Sequence, residues 1–169
     1  MLEETVNKTD YKGFADIVLE RGKEKAIIDL KWRGIGWRRD LIKNEEDIQL
    51  VLYAQLLKKE ATWPNTSFFI IENGKMLARN SSAFSEVSPI VPDSDEQEVY
   101  NTIFNKMEST YHWRKEQVSN GRIEIRCTQT SMVLEEFYQE KEVKFLSMLE
   151  MKTENAKFDE YRVLIDLME

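Results

Sequence analysis

The most constraining stretch of this chain is a glycine turn between two runs of β-branched residues. Phe14 to Glu20 (FADIVLE) and Ala26 to Trp32 (AIIDLKW) are rich in Ile and Val and read as strands. Between them lies Arg21-Gly22-Lys23-Glu24-Lys25. A two-residue loop at Gly22-Lys23, glycine first, suits a type II′ turn, whose twist matches that of paired antiparallel strands. Such a turn fixes the register and sets Asp16 directly opposite Asp29, with Cβ atoms about 4.5–5.5 Å apart. The two-residue period of a strand puts Lys31 on the same face as Asp29.

Two facing carboxylates repel unless something neutralises them. A hard divalent cation held by carboxylate oxygens does so. Lys31 is then placed to orient an attacking water or to stabilise charge developing on a phosphate. Ile27, Ile28 and Leu30 are the expected buried flanks. The competing reading is a surface hairpin carrying an ordinary Asp–Lys pair. Acid-x-Lys triplets also occur at Asp10–Lys12, Glu142–Lys144 and Glu150–Lys152, but only Asp29–Lys31 follows an apolar run and faces another acid.

Further elements follow from pattern. Asn44 is an expected N-cap, with Glu45, Glu46 and Asp47 in the first turn. Ile48, Val51, Leu52 and Leu56 form the apolar stripe of that helix to about Lys59, and Trp63-Pro64-Asn65 ends it. Residues 68–79 hold Asn73-Gly74 between apolar runs, a hairpin signal. Residues 80–93 read as a loop. Ser94 and Gln97 are spaced as a capping box, Val99, Ile103, Met107 and Tyr111 continue that helix, and Asn120-Gly121 closes it. Arg122 to Arg126 alternates like an edge strand. Leu134, Phe137, Tyr138, Phe145, Met148 and Leu149 suggest an amphipathic helix, whereas Phe158 to Met168 fits helix and strand equally. The expected architecture is α/β (α+β): a mixed central sheet flanked by helices over residues 1–127, then an acidic, mainly helical extension over 128–169.

Composition bounds the function. Among 169 residues, 41% are hydrophobic, which excludes a disordered chain, and no apolar run approaches the roughly 18 residues of a membrane helix. The single cysteine excludes a disulfide framework, a Cys-only zinc site and a four-cysteine iron–sulfur cluster. With no signal peptide at the acidic N-terminus, a cytoplasmic, intracellular setting is expected. The net charge of −7 argues against a general nucleic-acid coat. Charge is unevenly spread, however. Lys31 to Lys43 carries five cations and one acid, whereas Met132 to Glu169 carries ten acids and five bases.

Gln49 and Tyr53 lie four apart and share a helical face. Taken in order, Gly13-Phe14-Ala15-Asp16, Ile27-Ile28-Asp29-Leu30-Lys31 and Gln49-Leu50-Val51-Leu52-Tyr53 resemble the G-x-x-D, D-x-K and Q-x-x-x-Y motifs of the RecB-like branch of the PD-(D/E)XK nuclease superfamily. The resemblance runs from about Tyr11 to Gly121. It implies a restriction-endonuclease-like fold and Mg²⁺- or Mn²⁺-dependent phosphodiester hydrolysis. Asp16 and Asp29 would be metal ligands together with the Leu30 carbonyl, Lys31 the catalytic lysine, and Gln49 and Tyr53 contacts to DNA or organisers of the site. It further implies exonuclease work on DNA ends or single strands in DNA repair, recombination or phage and mobile-element processing, with other domains or subunits of a larger machine as partners. The alternative is a catalytically inactive module of the same fold that binds DNA or protein. The family pattern expects a helix before the G-x-x-D strand, and only twelve residues precede Gly13, so an N-terminally truncated piece of a larger protein or a degenerate copy is expected.

The basic island directly follows Lys31. Read as a loop beside the site, it offers Arg33, Arg38, Arg39 and Lys43 to a phosphate backbone, and Trp32 and Trp37 to bases. Solvated surface for the arginines and core or hairpin packing for the tryptophans are the alternatives. His112 reads as structural or exposed, Cys127 as an inert thiol, the seven methionines as core filler, and Gly34-Ile35-Gly36 as lacking both the third glycine and the helix of a phosphate-binding loop.

Overall fold

The computed structural model describes residues 2–6, 9–58, 62–80, 83–84 and 86–122. The expected strand at 122–126, the two C-terminal elements, Cys127 and the 127/128 boundary lie outside or at the edge of these residues. The chain divides into two compact units, Met1–Phe104 and Asn105–Glu169. Among the described residues the fold is mixed α+β, with a four-stranded mixed sheet, a two-stranded sheet and three helices.

The first unit opens with a hairpin of β1 (Leu2–Val6) and β2 (Thr9–Gly13). Then β3 (Ile17–Arg21) and β4 (Glu24–Lys31) pair antiparallel, Arg21 opposite Glu24 and Ile17 opposite Ile28. That is the register the Gly22-Lys23 turn dictates. Gly22 has φ 62°, and Lys23 is not among the residues with positive φ, as a type II′ turn requires. The helices α1 (Ile35–Lys43) and α2 (Ile48–Leu57) then carry the chain to β5 (Asn65–Ile70), which pairs parallel with β4. A parallel neighbour demands such a crossover. A 3₁₀ turn, Ile71–Asn73, and Gly74 lead into β6 (Lys75–Ala78), antiparallel to β5, so the expected hairpin forms with a four-residue connection. The sheet order is β3-β4-β5-β6.

One face of the sheet carries Ile27 and Asp29 from β4 and, in register with them, Thr66 and Phe68 from β5. All four are buried. Ile42 of α1 and Leu50 of α2 close over Phe68, Ile70 and Leu77 in a single apolar cluster, with Ile35, Ile90 and Val91 packed at its border. Ile28 and Leu30, expected to be buried, are half-buried, because alternation sends them to the other face.

Several local expectations are corrected. The basic island is a helix rather than a loop: its ends Ile35 and Ile42 both dock on the core, and Arg and Lys are good helix formers. A helix therefore does follow Gly34. Asn44 ends this helix rather than starting the next. Glu45 takes φ 58°, its N–H donates to the Ile42 carbonyl and that of Glu46 to the Leu41 carbonyl at 2.8 Å, a Schellman closure. β3 starts at Ile17, leaving Phe14 exposed outside the strand. α2 ends at Leu57.

The helix α3 (Glu96–Ser119) begins in the first unit. Asp95 caps it, accepting from the N–H groups of Gln97 (2.9 Å) and Glu98 (3.3 Å). The expected Ser94/Gln97 box does not form, because the Gln97 amide is engaged by the backbone N–H and carbonyl of Trp63. Trp63 itself is buried against Tyr100 and Phe104. In the second unit, α3 closes at Asn120-Gly121 as expected, with Arg122 N–H donating to the Gln117 carbonyl at 2.8 Å. His112 is exposed and meets the edge of Tyr111. No described helix is long and apolar enough to cross a membrane.

Candidate functional site

The site forms where β4 ends beneath α2. Asp29, on the covered face of β4, is 1% exposed. Its Oδ2 meets the Lys31 ammonium at 2.6 Å, a contact the two-residue strand period makes possible. Its Oδ1 accepts from Gln49 Nε2 at 3.1 Å. The second proton of that amide goes to the Tyr53 hydroxyl oxygen at 3.0 Å. The i, i+4 pair on α2 is thus tied to the carboxylate beneath it, and Tyr53 keeps its own hydroxyl proton for an outside acceptor.

Asp16 sits one residue before β3, exposed, and its Oδ2 accepts the Leu30 N–H at 2.8 Å. This bond fixes Asp16 across from Asp29. Leu30 therefore enters the site through its amide N–H. Burial raises the Asp29 pKa; the hydrogen bond and charge of Lys31 pull it down, the charge of Asp16 raises it, and the charge of Arg38 lowers it. The two acids therefore repel across the hairpin, and two cations answer them.

Close approach underlies this packing. A Cβ on Gly13 would lie 2.9 Å from Tyr53 Cε1 and 3.2 Å from Leu56 Cδ1, so only glycine lets α2 settle against β2 there. Gly34 performs a similar service for Arg38. It has φ 94°, and a Cβ on it would lie 2.7 Å from Arg38 Nη1. The Arg38 guanidinium donates to the Arg33 carbonyl at 3.1 Å and lies 4.7 Å from the Trp37 ring centre and 5.7 Å from that of Phe68. Partial burial lowers its pKa, and the charge of Asp29 opposes that. Arg38 thus lies within reach of the Asp29 charge. Arg33, Arg39 and Lys43 are exposed, and no contact among the described residues ties them to Asp29. Lys43 lies in the last turn of α1, where a cation suits the helix dipole. Trp32 and Trp37 are 68% and 59% exposed, so the core-packing reading of both fails.

The structure thus gathers Asp16, Asp29, Lys31, Gln49, Tyr53 and Arg38, and leaves the other three cations on the surface. Among the described residues no three acid, His or Cys side chains cluster around one point. The donor set is two carboxylates, hard oxygen ligands of the kind that hold Mg²⁺ or Mn²⁺ while the ion keeps several waters. Buried Asp29 Oδ2, whose partner is a lysine ammonium, is an atom whose charge a cation would answer.

A second charged cluster lies in the same unit and has no signal in the sequence. Arg79, after β6, pairs with Asp47 at 2.5 Å, both fully buried. Glu96 of α3 is buried within reach of the Arg79 charge, and the Thr66 and Tyr100 hydroxyls bond at 2.6 Å beside it. Burial, only partly offset by Arg79, pushes Asp47 up to about 6 and Glu96 up to about 7. Partners that lie 32 and 17 positions from Arg79 leave no local pattern to read.

No protein-family model, curated protein or solved structure matches this chain.

Proposed function

We propose that the chain is a metal-dependent DNA nuclease domain of the RecB-like PD-(D/E)XK type, with a restriction-endonuclease-like fold. The observation that carries the reading is the meeting of Asp29, Lys31 and Gln49 at 2.6 Å and 3.1 Å, with Asp16 pinned to Leu30 across the hairpin. Support for the fold comes from the mixed sheet: an antiparallel hairpin delivers the acids, and a helical crossover to a parallel strand places the Q-x-x-x-Y pair above them.

In this reading Asp16 and Asp29, with the Leu30 carbonyl, hold Mg²⁺ or Mn²⁺. The ion supplies Lewis-acid polarisation of the scissile phosphate and neutralises the paired acids. Lys31 faces the phosphate, donating to the oxygen on which negative charge grows or orienting the attacking water. Gln49 fixes the Asp29 carboxylate, and Tyr53 donates its hydroxyl proton to a phosphate oxygen. Arg38 adds a cation on the approach to the site, with Arg33, Arg39 and Lys43 further out along the backbone of the DNA.

The test is cleavage of end-labelled DNA by the full chain with Mg²⁺ or Mn²⁺. Cleavage lost in both Asp29→Ala and Lys31→Ala is the expected result. Activity surviving both substitutions contradicts the site. Salt-dependent DNA binding that weakens in Arg38→Ala, with no cleavage by the wild type, would instead identify a binding module of the same fold.

A further inference from the structure

Among the described residues of 1–104 the three most exposed large hydrophobic side chains are Phe14, Trp32 and Trp37, at 71%, 68% and 59%. Each lies within two positions of a residue of the site: Phe14 before Asp16, Trp32 after Lys31, Trp37 before Arg38. Ordinary folding puts such rings inside, because burying one is worth about 1.5–3 kcal/mol. Here the backbone at Trp32 and Trp37 is held while the rings stay in solvent. The Trp32 carbonyl accepts the Glu72 N–H at 3.0 Å, and Trp37 sits in the first turn of α1. Arg38, packed 4.7 Å from the Trp37 ring, adds a cation that no described carboxylate pairs within ion-pair distance.

We infer that Trp32, Trp37 and Phe14 are a stacking platform for the unpaired bases of a single strand, whose backbone runs past Arg38 to Asp29 and Lys31. This deepens the nuclease reading and rests on it for the placement of the scissile phosphate. Aromatic faces set beside cations are what a flexible, phosphate-bearing strand recognises. A blunt duplex keeps its bases stacked on one another and gains nothing from the rings. The platform therefore selects single-stranded or frayed substrate. Stacking does not read the sugar, so single strands of DNA and RNA share this chemistry.

The test separates binding from chemistry. Fluorescence anisotropy with a labelled oligothymidylate, an oligouridylate and a blunt duplex is measured on the full chain in EDTA. The wild type is expected to bind single strands in preference to duplex. Trp32→Ala/Trp37→Ala should weaken single-strand binding by about 30-fold or more. The Trp→Phe double variant should remain close to wild type, which separates stacking from misfolding. Binding of the oligothymidylate alone assigns the substrate to DNA, and equal binding of both leaves the platform intact for either sugar. Aromatic-dependent binding without metal-dependent cleavage would sink the nuclease reading and leave the platform standing. Wild-type binding that prefers duplex, no binding at all, or binding unchanged in the alanine double variant overturns the platform, even if cleavage occurs.

Discussion

Two charged clusters sit on one small scaffold, and they are built to opposite plans. Around Arg79 every charge is sealed: Asp47 and Arg79 are fully buried, Glu96 is nearly so, and the hydroxyls of Thr66 and Tyr100 share a hydrogen bond. Around Asp29 only the carboxylate is sealed. Lys31, Gln49, Tyr53, Asp16 and Arg38 lead outward from it, and the rings beyond them are open to solvent. Burial of charge alone therefore does not mark a site of chemistry. What would mark the Asp29 cluster as one, in the nuclease reading, is a buried charge whose partners retain hydrogen-bonding capacity toward solvent.

Substitution in each cluster separates the two plans. Arg79→Ala strands the Asp47 charge and should cost about 3–5 kcal/mol, read as a loss in chemical denaturation. A much smaller loss would mean the sealed cluster is not structural. Next, Asp29→Asn should lower cleavage by about 10²–10³ while leaving the melting temperature unchanged or raised, because burial already disfavours the Asp29 charge. A large drop in melting temperature would make Asp29 a structural residue like Asp47. Gly13→Ala forces a methyl against Tyr53 and Leu56, with an expected loss of about 1–3 kcal/mol and slower cleavage as Tyr53 is displaced. An unchanged denaturation midpoint would contradict that contact.

The smallest effect is one of pH. Glu96 faces Arg79, Asp47 and Tyr100, and its folded pKa is about 7 against an ordinary 4.5. The folded state thus holds a proton that the unfolded chain releases, so the contribution is fully present below about pH 4.5 and is lost as pH rises through 7. Melting temperature should fall by a few degrees between pH 5 and pH 8, and Glu96→Gln should reduce that slope, leaving the share that Asp47, pushed up to about 6, contributes. An equal slope in the variant would place the titration elsewhere.

What the sequence revealed follows the same division. The site depends on short-range rules: a two-residue glycine turn set the β3–β4 register, the strand period aligned Asp29 with Lys31, and the i, i+4 spacing paired Gln49 with Tyr53. Each acts over few residues and survives tertiary packing. The sealed cluster joins three distant segments, so nothing local announces it. α1 was hidden because Gly34 and Gly36 read as loop residues, whereas Ile35 and Ile42 are held by a core whose other members come from α2, β5 and β6. Asn44 and Ser94 have cap chemistry, but neighbours decided their roles: a Schellman closure at Glu45 and Glu46, and Asp95 at the start of α3. The β1–β2 hairpin was missed because its strands are short and largely polar.

The most direct test of the central claim is Mn²⁺ binding by the full chain, followed by electron paramagnetic resonance of the free ion. The wild type should take up Mn²⁺, and both Asp16→Asn and Asp29→Asn should lose it while remaining folded. Equal uptake by the wild type and both variants would contradict the assignment of Asp16 and Asp29 as the metal ligands of a nuclease.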